Sequence, residues 1–75
     1  MAQKTNMIVA ENLKQLRLGK YSGEKKSIGK VAADIGISYM TLYRYEKNGI
    51  ITRISVANDI CEYYGVPFSY LYENH

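Results

Sequence analysis

Five side chains between residues 39 and 47 fall at spacings of three and four: Tyr39, Met40, Tyr43, Arg44 and Lys47, with Ser38 and Thr41 beside them. On a helix such residues are neighbours, so they form one continuous surface. Its chemistry is recognition rather than catalysis. The Arg44 guanidinium presents a fork of donors that pairs bidentately with guanine O6 and N7, worth about 1–3 kcal/mol against a wrong base. The competing reading of Arg44 is a surface ion pair, but Met40 and Asn48 occupy the positions four residues either side. The hydroxyls of Tyr39 and Tyr43 suit phosphate or base edges. The same two rings with Met40 also make an exposed apolar patch of the kind that marks protein interfaces. Nucleic-acid contact is the favoured reading, and a protein interface through Tyr39, Met40 and Tyr43 is the alternative.

The elements that must hold these residues are legible in the stretch Ile28 to Tyr45. Val31, Ala32 and Ile35 fall on one face of a helical run, Gly36 breaks it, and Ser38 opens a second run that buries Leu42 and Tyr45. Ala32 is small where two helices must cross, Gly36 accepts the positive φ of a tight turn, and Ile37 fills the corner. This is the pattern of a helix-turn-helix. Around it, periodicity and caps predict helices over about 7–18 (capped by Thr5 or Asn6), 28–35 (Ser27), 39–47 (Ser38), 53–64 (Thr52) and 67–72 (Pro67 in its first turn). Val9, Leu13 and Leu16 should face the core, as should Ile54, Ala57, Ile60, Cys61 and Tyr64, and Phe68 with Leu71. Residues 20–26 lack an apolar period and read as a basic loop. No strand competes, so the expectation is an all-α, five-helix single domain over residues 1–75.

Charge is uneven along the chain. Residues 12–53 hold nine basic groups against three acidic ones, whereas residues 54–75 hold three acidic groups and no Lys or Arg. The positive stretch coincides with the helix-turn-helix, as expected if that part faces a polyanion. Ser27, Lys26, Lys30, Lys47 and Arg53 lie within it. The three lysines and Arg53 are either phosphate contacts or solvated charges, and Ser27, Ser38 and Thr52 are caps whose helix ends also suit phosphate. With 75 residues the core is small, which makes oligomerisation an expectation.

Other function classes find little to use. One cysteine and a single terminal histidine offer no metal cluster and no disulfide. Cys61 reads as a small buried hydrophobe rather than a redox sensor. The stretch 19–27 lacks the Gly-Lys-Ser/Thr ending of a phosphate-binding loop, and no nucleophile has a base at useful spacing. No apolar run approaches the ~20 residues of a membrane span. The N-terminus lacks the apolar stretch of a signal peptide, so the expected location is the cytoplasm. No enzyme activity, cofactor, metal or membrane is expected.

The joint spacing over about residues 7–72 resembles the Cro/C1-type helix-turn-helix family, the phage-repressor-like DNA-binding domains also called the xenobiotic-response-element type. Beyond the central pattern, Leu16-Arg17 is similar to the Leu-Arg pair closing the family's first helix. Glu46 sits where relatives carry Glu, Lys47 to Thr52 has the usual loop length, and Tyr64-Gly65-Val66 matches a Leu-Gly-Val. The resemblance implies five α-helices with the third in the major groove, a structural ion pair between Arg17 and Glu46, and double-stranded DNA as partner. It also implies dimerisation through the C-terminal end, where Tyr70 and Tyr72 are candidate contacts; the alternative is a tail docked on its own core. A homodimer would set two reading helices ~34 Å apart on a pseudo-palindromic operator. Three departures stand out: a longer loop between Leu18 and Ser27, Ile28 where relatives place a phosphate-touching Gln, and an unusually aromatic third helix. The resemblance therefore implies a transcriptional regulator of phage or mobile-element type, most simply a repressor. The alternative is an antirepressor that keeps the fold but binds a partner repressor protein through Tyr39, Met40 and Tyr43.

Overall fold

The computed structural model describes the backbone of residues 2–75 and the side chains of residues 5–75. It is all-helical, with no strand among the described residues: α1 (Ala2–Arg17), α2 (Ile28–Ile35), α3 (Tyr39–Asn48), α4 (Ile54–Tyr64) and a C-terminal 3₁₀ helix (Phe68–Tyr72). The expected five helices are thus four α-helices and one 3₁₀ helix. Three-residue turns are the usual form of so short a piece.

The core is one cluster to which every helix contributes. Val9, Leu13 and Leu16 of α1 meet Val31 and Ala32 of α2, Leu42 and Tyr45 of α3, Ala57, Ile60 and Cys61 of α4, and Leu71 of the 3₁₀ helix. Ile35 and Ile37 pack against its edge, as a corner-filling role requires. Cys61 is buried, and burial pushes its thiol up from the ordinary range, which suits a structural hydrophobe. The buried Tyr64 phenol is likewise raised by its loss of solvent.

Local stops and starts follow from residue chemistry. The Ser27 and Ser38 side chains accept from the backbone N–H of Lys30 and Thr41, both at 3.1 Å, satisfying donors that the helix start leaves free. Gly36 takes φ +90° and turns α2 into α3. Gly49 takes φ +70° at the end of α3, and a Cβ there would collide with the Asn6 carbonyl of α1, so this position needs glycine for space as well as conformation.

Several boundaries and faces differ from expectation. Helix α1 begins at Ala2, so neither Thr5 nor Asn6 is its cap; Ala, Gln and Lys are good helix formers, and nothing in that stretch breaks the helix. Arg53, without a side-chain hydrogen bond, holds the cap position of α4 in place of Thr52. The Thr52 hydroxyl instead lies 3.5 Å from that of Tyr45. Ile54 is 70% exposed because the first residue of α4 projects beyond the core, and Val56 is buried in its place. Phe68 is 36% exposed and pairs with Tyr72, ring centroids 5.5 Å apart, while Leu71 alone of that expected pair is sealed inside. Asn12 supplies the reason. Its buried side-chain amide donates to the carbonyls of Tyr70, Leu71 and Glu73 at 3.2, 2.9 and 2.8 Å. The clamp fixes the backbone around the buried Leu71, and Phe68 lies ahead of the clamped carbonyls, at the rim.

Candidate nucleic-acid interface

Helix α3 is oriented by what its inner side does. Leu42 and Tyr45 are buried, and Glu46 turns inward to meet Arg17 of α1, Nε to Oε2 at 2.7 Å, both side chains mostly shielded. Arg17 also donates from Nη1 to the Lys26 carbonyl, while the Lys26 N–H donates to the Arg17 carbonyl at 2.9 Å. The ion pair and this reciprocal pair tie α1, the approach to α2 and the last turn of α3 together. The Arg17–Glu46 pair that the resemblance implied is therefore present. It also removes the sole acid of α3 from the outer surface.

That outer surface carries Ser38, Tyr39, Met40, Tyr43, Arg44 and Lys47, all exposed, with Thr41 half-buried at one edge. Two ridges run along it. The Tyr39 and Tyr43 rings stack at 6.3 Å with planes 9° apart, and the Lys47 ammonium lies 5.9 Å from the Tyr43 centroid. Met40 and Arg44 form the second ridge, and helical period sets Met40 opposite the buried Leu42 and Tyr45. The Arg44 side chain has no hydrogen bond or ion pair among the described residues. It lines an open groove with Thr41, Tyr45, Asn48, Ile50 and Thr52.

Arg53 stands across a second groove that runs over Gly36, Ile37, Ser38 and Thr41, so the start of α4 lies beside the start of α3. Lys14 is a residue that sequence reasoning missed. It lines a groove with Ile28, Tyr43 and Lys47 and so adds a cation to the α1 side of the surface. Its position in the last turn of α1, which the family pattern brings against α3, was the available signal.

Lys26 is differently placed. Its ammonium lies 4.7 Å from the Tyr63 ring centroid and 3.7 Å from Glu24. The Tyr63 hydroxyl donates to Asp34 Oδ2 at 2.6 Å, and Lys30 Nζ lies 3.2 Å from Asp34 Oδ1. The Tyr63 bond, helped by Lys30, holds the Asp34 carboxyl below its ordinary range, and the same bond raises the Tyr63 phenol. Lys26 and Lys30 thus serve a surface staple between α2 and α4. Ser27 remains at the open start of α2.

The C-terminal tyrosines divide. Tyr70 is half-buried, its ring stacked 3.8 Å from His75 and edge-on to Tyr21 at 6.1 Å, whereas Tyr72 is exposed. Among the described residues there is no cluster of metal-ligating groups, and no helix is long and apolar enough to cross a membrane.

Two short helices at a left-handed glycine corner, the second buried on one side and cationic on the other, form the geometry of a helix-turn-helix. A family model described as helix-turn-helix matches residues 13–71. The chain belongs to the Cro/C1-type helix-turn-helix family. No curated protein and no solved structure matches it. Membership makes this helix-turn-helix protein a DNA-binding regulator, with α2 and α3 as its paired helices.

Proposed function

We propose that the chain is a sequence-specific transcriptional repressor, of the kind used by phages and mobile elements, that acts in the cytoplasm by occupying an operator. The outer face of α3, from Tyr39 to Arg44, enters the major groove. Arg44 takes a guanine edge, Tyr39, Met40 and Tyr43 line the base pairs beside it, and Thr41 flanks them. Lys14, Lys47, Arg53 and the capped helix starts at Ser27 and Ser38 hold phosphates. Binding alone produces the effect, with no catalytic step and no cofactor. The observation that carries this reading is the unpaired Arg44 guanidinium on a surface from which Glu46 has been withdrawn. A homodimer would present this surface twice on a pseudo-palindrome. At the C-terminal end Tyr72 and Phe68 are open for such a contact, while Tyr70 is engaged within its own chain.

Selection from a random duplex pool, followed by titration at several salt concentrations, tests the reading. The expected result is enrichment of one sequence with an affinity that falls steeply as salt rises, because phosphate contacts release counterions. Absent or salt-independent binding would overturn it.

The exposed apolar area of Tyr39, Met40 and Tyr43 supports a second reading, an antirepressor that binds a partner repressor protein. Arg44→Ala against Tyr43→Ala separates the two. A DNA reader loses most with Arg44→Ala in duplex binding, and a protein binder loses most with Tyr43→Ala in a pull-down with a candidate repressor encoded beside it.

A further inference from the structure

The two ridges of α3 differ in support. Behind Tyr39 lies Gly29 of α2, where even an added Cβ would sit 3.9 Å from the ring, and Ile28 shares a groove with Tyr43. The stacked pair therefore stands beside α2 and forms a wall along one side of the α3 surface. Met40, 50% exposed, stands at the crest between this wall and Arg44. An apolar side chain held there needs an apolar partner, and the charge around it narrows the choice. Arg44 lies one turn further along and Lys47 beyond it, over the Tyr43 ring, and the one acid of the helix is tied to Arg17. The surface is thus cationic with an apolar centre, which fits a polyanion that offers an isolated apolar group. The floor of the major groove is polar except for one such group, the C5-methyl of a pyrimidine.

We propose that Met40, set against the Tyr39–Tyr43 wall, reads a pyrimidine C5-methyl next to the base pair held by Arg44. Thymine supplies this methyl, and 5-methylcytosine supplies the same chemistry. The inference rests on α3 entering the major groove. It makes Met40 a specificity-determining residue and makes the operator responsive to cytosine methylation at that step.

The test uses the full chain and the duplex enriched from a random pool, with each thymine replaced in turn by deoxyuridine, which keeps every hydrogen-bonding group and removes only the methyl. Binding should weaken by about fourfold at one position per reading helix, the worth of one buried methyl. At that position a 5-methylcytosine pair should bind tighter than a cytosine pair by the same factor. Met40→Ala should bind the thymine and uracil duplexes equally, and Met40→Leu should keep the difference. Met40 is exposed, so helicity by circular dichroism should be unchanged in both variants. A flat uracil scan, or sensitivity that persists in Met40→Ala, overturns this inference and leaves DNA reading intact. Failure to bind any duplex overturns both.

Discussion

The C-terminal end of the molecule and the open face of α3 use polar groups in opposite ways. Under the 3₁₀ helix, the buried Asn12 amide is shared among three backbone carbonyls, and Leu71 is fully enclosed beside it. Among the described residues no buried side-chain nitrogen or oxygen lacks a partner. On α3 the strongest donor in the helix, Arg44, has none, and aromatic surface is left in water beside it. One region completes its interactions within the chain, and the other leaves them for a second molecule. Variants at the two ends should therefore separate stability from binding.

The largest effect is expected from Leu71→Ala. Emptying this enclosed site should lower unfolding free energy by about 2–5 kcal/mol in urea titration. The folded fraction should still bind DNA with unchanged selectivity, and a selective loss of sequence preference would break the separation. Asn12→Ala comes next, at about 1–3 kcal/mol, because three carbonyls lose their donor. Its clearest signature is faster amide exchange near Tyr70 to Glu73, with exchange along α3 unaltered.

The smallest effect lies in the staple between α2 and α4, and it is pH-dependent. Asp34 has its carboxyl lowered from the ordinary 3.8 by the Tyr63 hydroxyl and Lys30. A depressed folded-state value contributes stability above the unfolded value and loses it as pH falls through the folded one. Tyr63→Phe should return the Asp34 carboxyl toward 3.8 in an NMR titration. The small stability gap between wild type and variant should be present at neutral pH and close below about pH 4. A gap that is constant across that range would remove Asp34 from the account.

The inner half of α2 and α3 was readable because burial imposes a period: Val31, Ala32 and Leu42 fell inside and Gly36 took the left-handed corner. Arg17 with Glu46 was readable only through family resemblance, since two residues on different helices share no local signal. Asn12 was readable in principle. Positions 9, 12, 13 and 16 make a full helical stripe, and a polar residue on such a stripe must find partners. Phe68 and Ile54 misled because periodicity states which face a residue shares but not where the packed region ends. The stacking of Tyr39 on Tyr43 is a choice of side-chain rotamers, which helical spacing alone does not fix. The loop ends joined by Arg17 and Lys26 were equally hidden, being backbone contacts.

Under the proposed function, the unpaired Arg44 guanidinium reads a base. The most direct test of that reading is the ratio of affinities for the enriched duplex and for unrelated DNA at fixed salt, measured for wild type and Arg44→Ala. The expected result is a ratio that collapses by about ten- to a hundredfold in the variant, with nonspecific binding and its salt slope little changed. An unchanged ratio, or an equal loss on both duplexes, would contradict it.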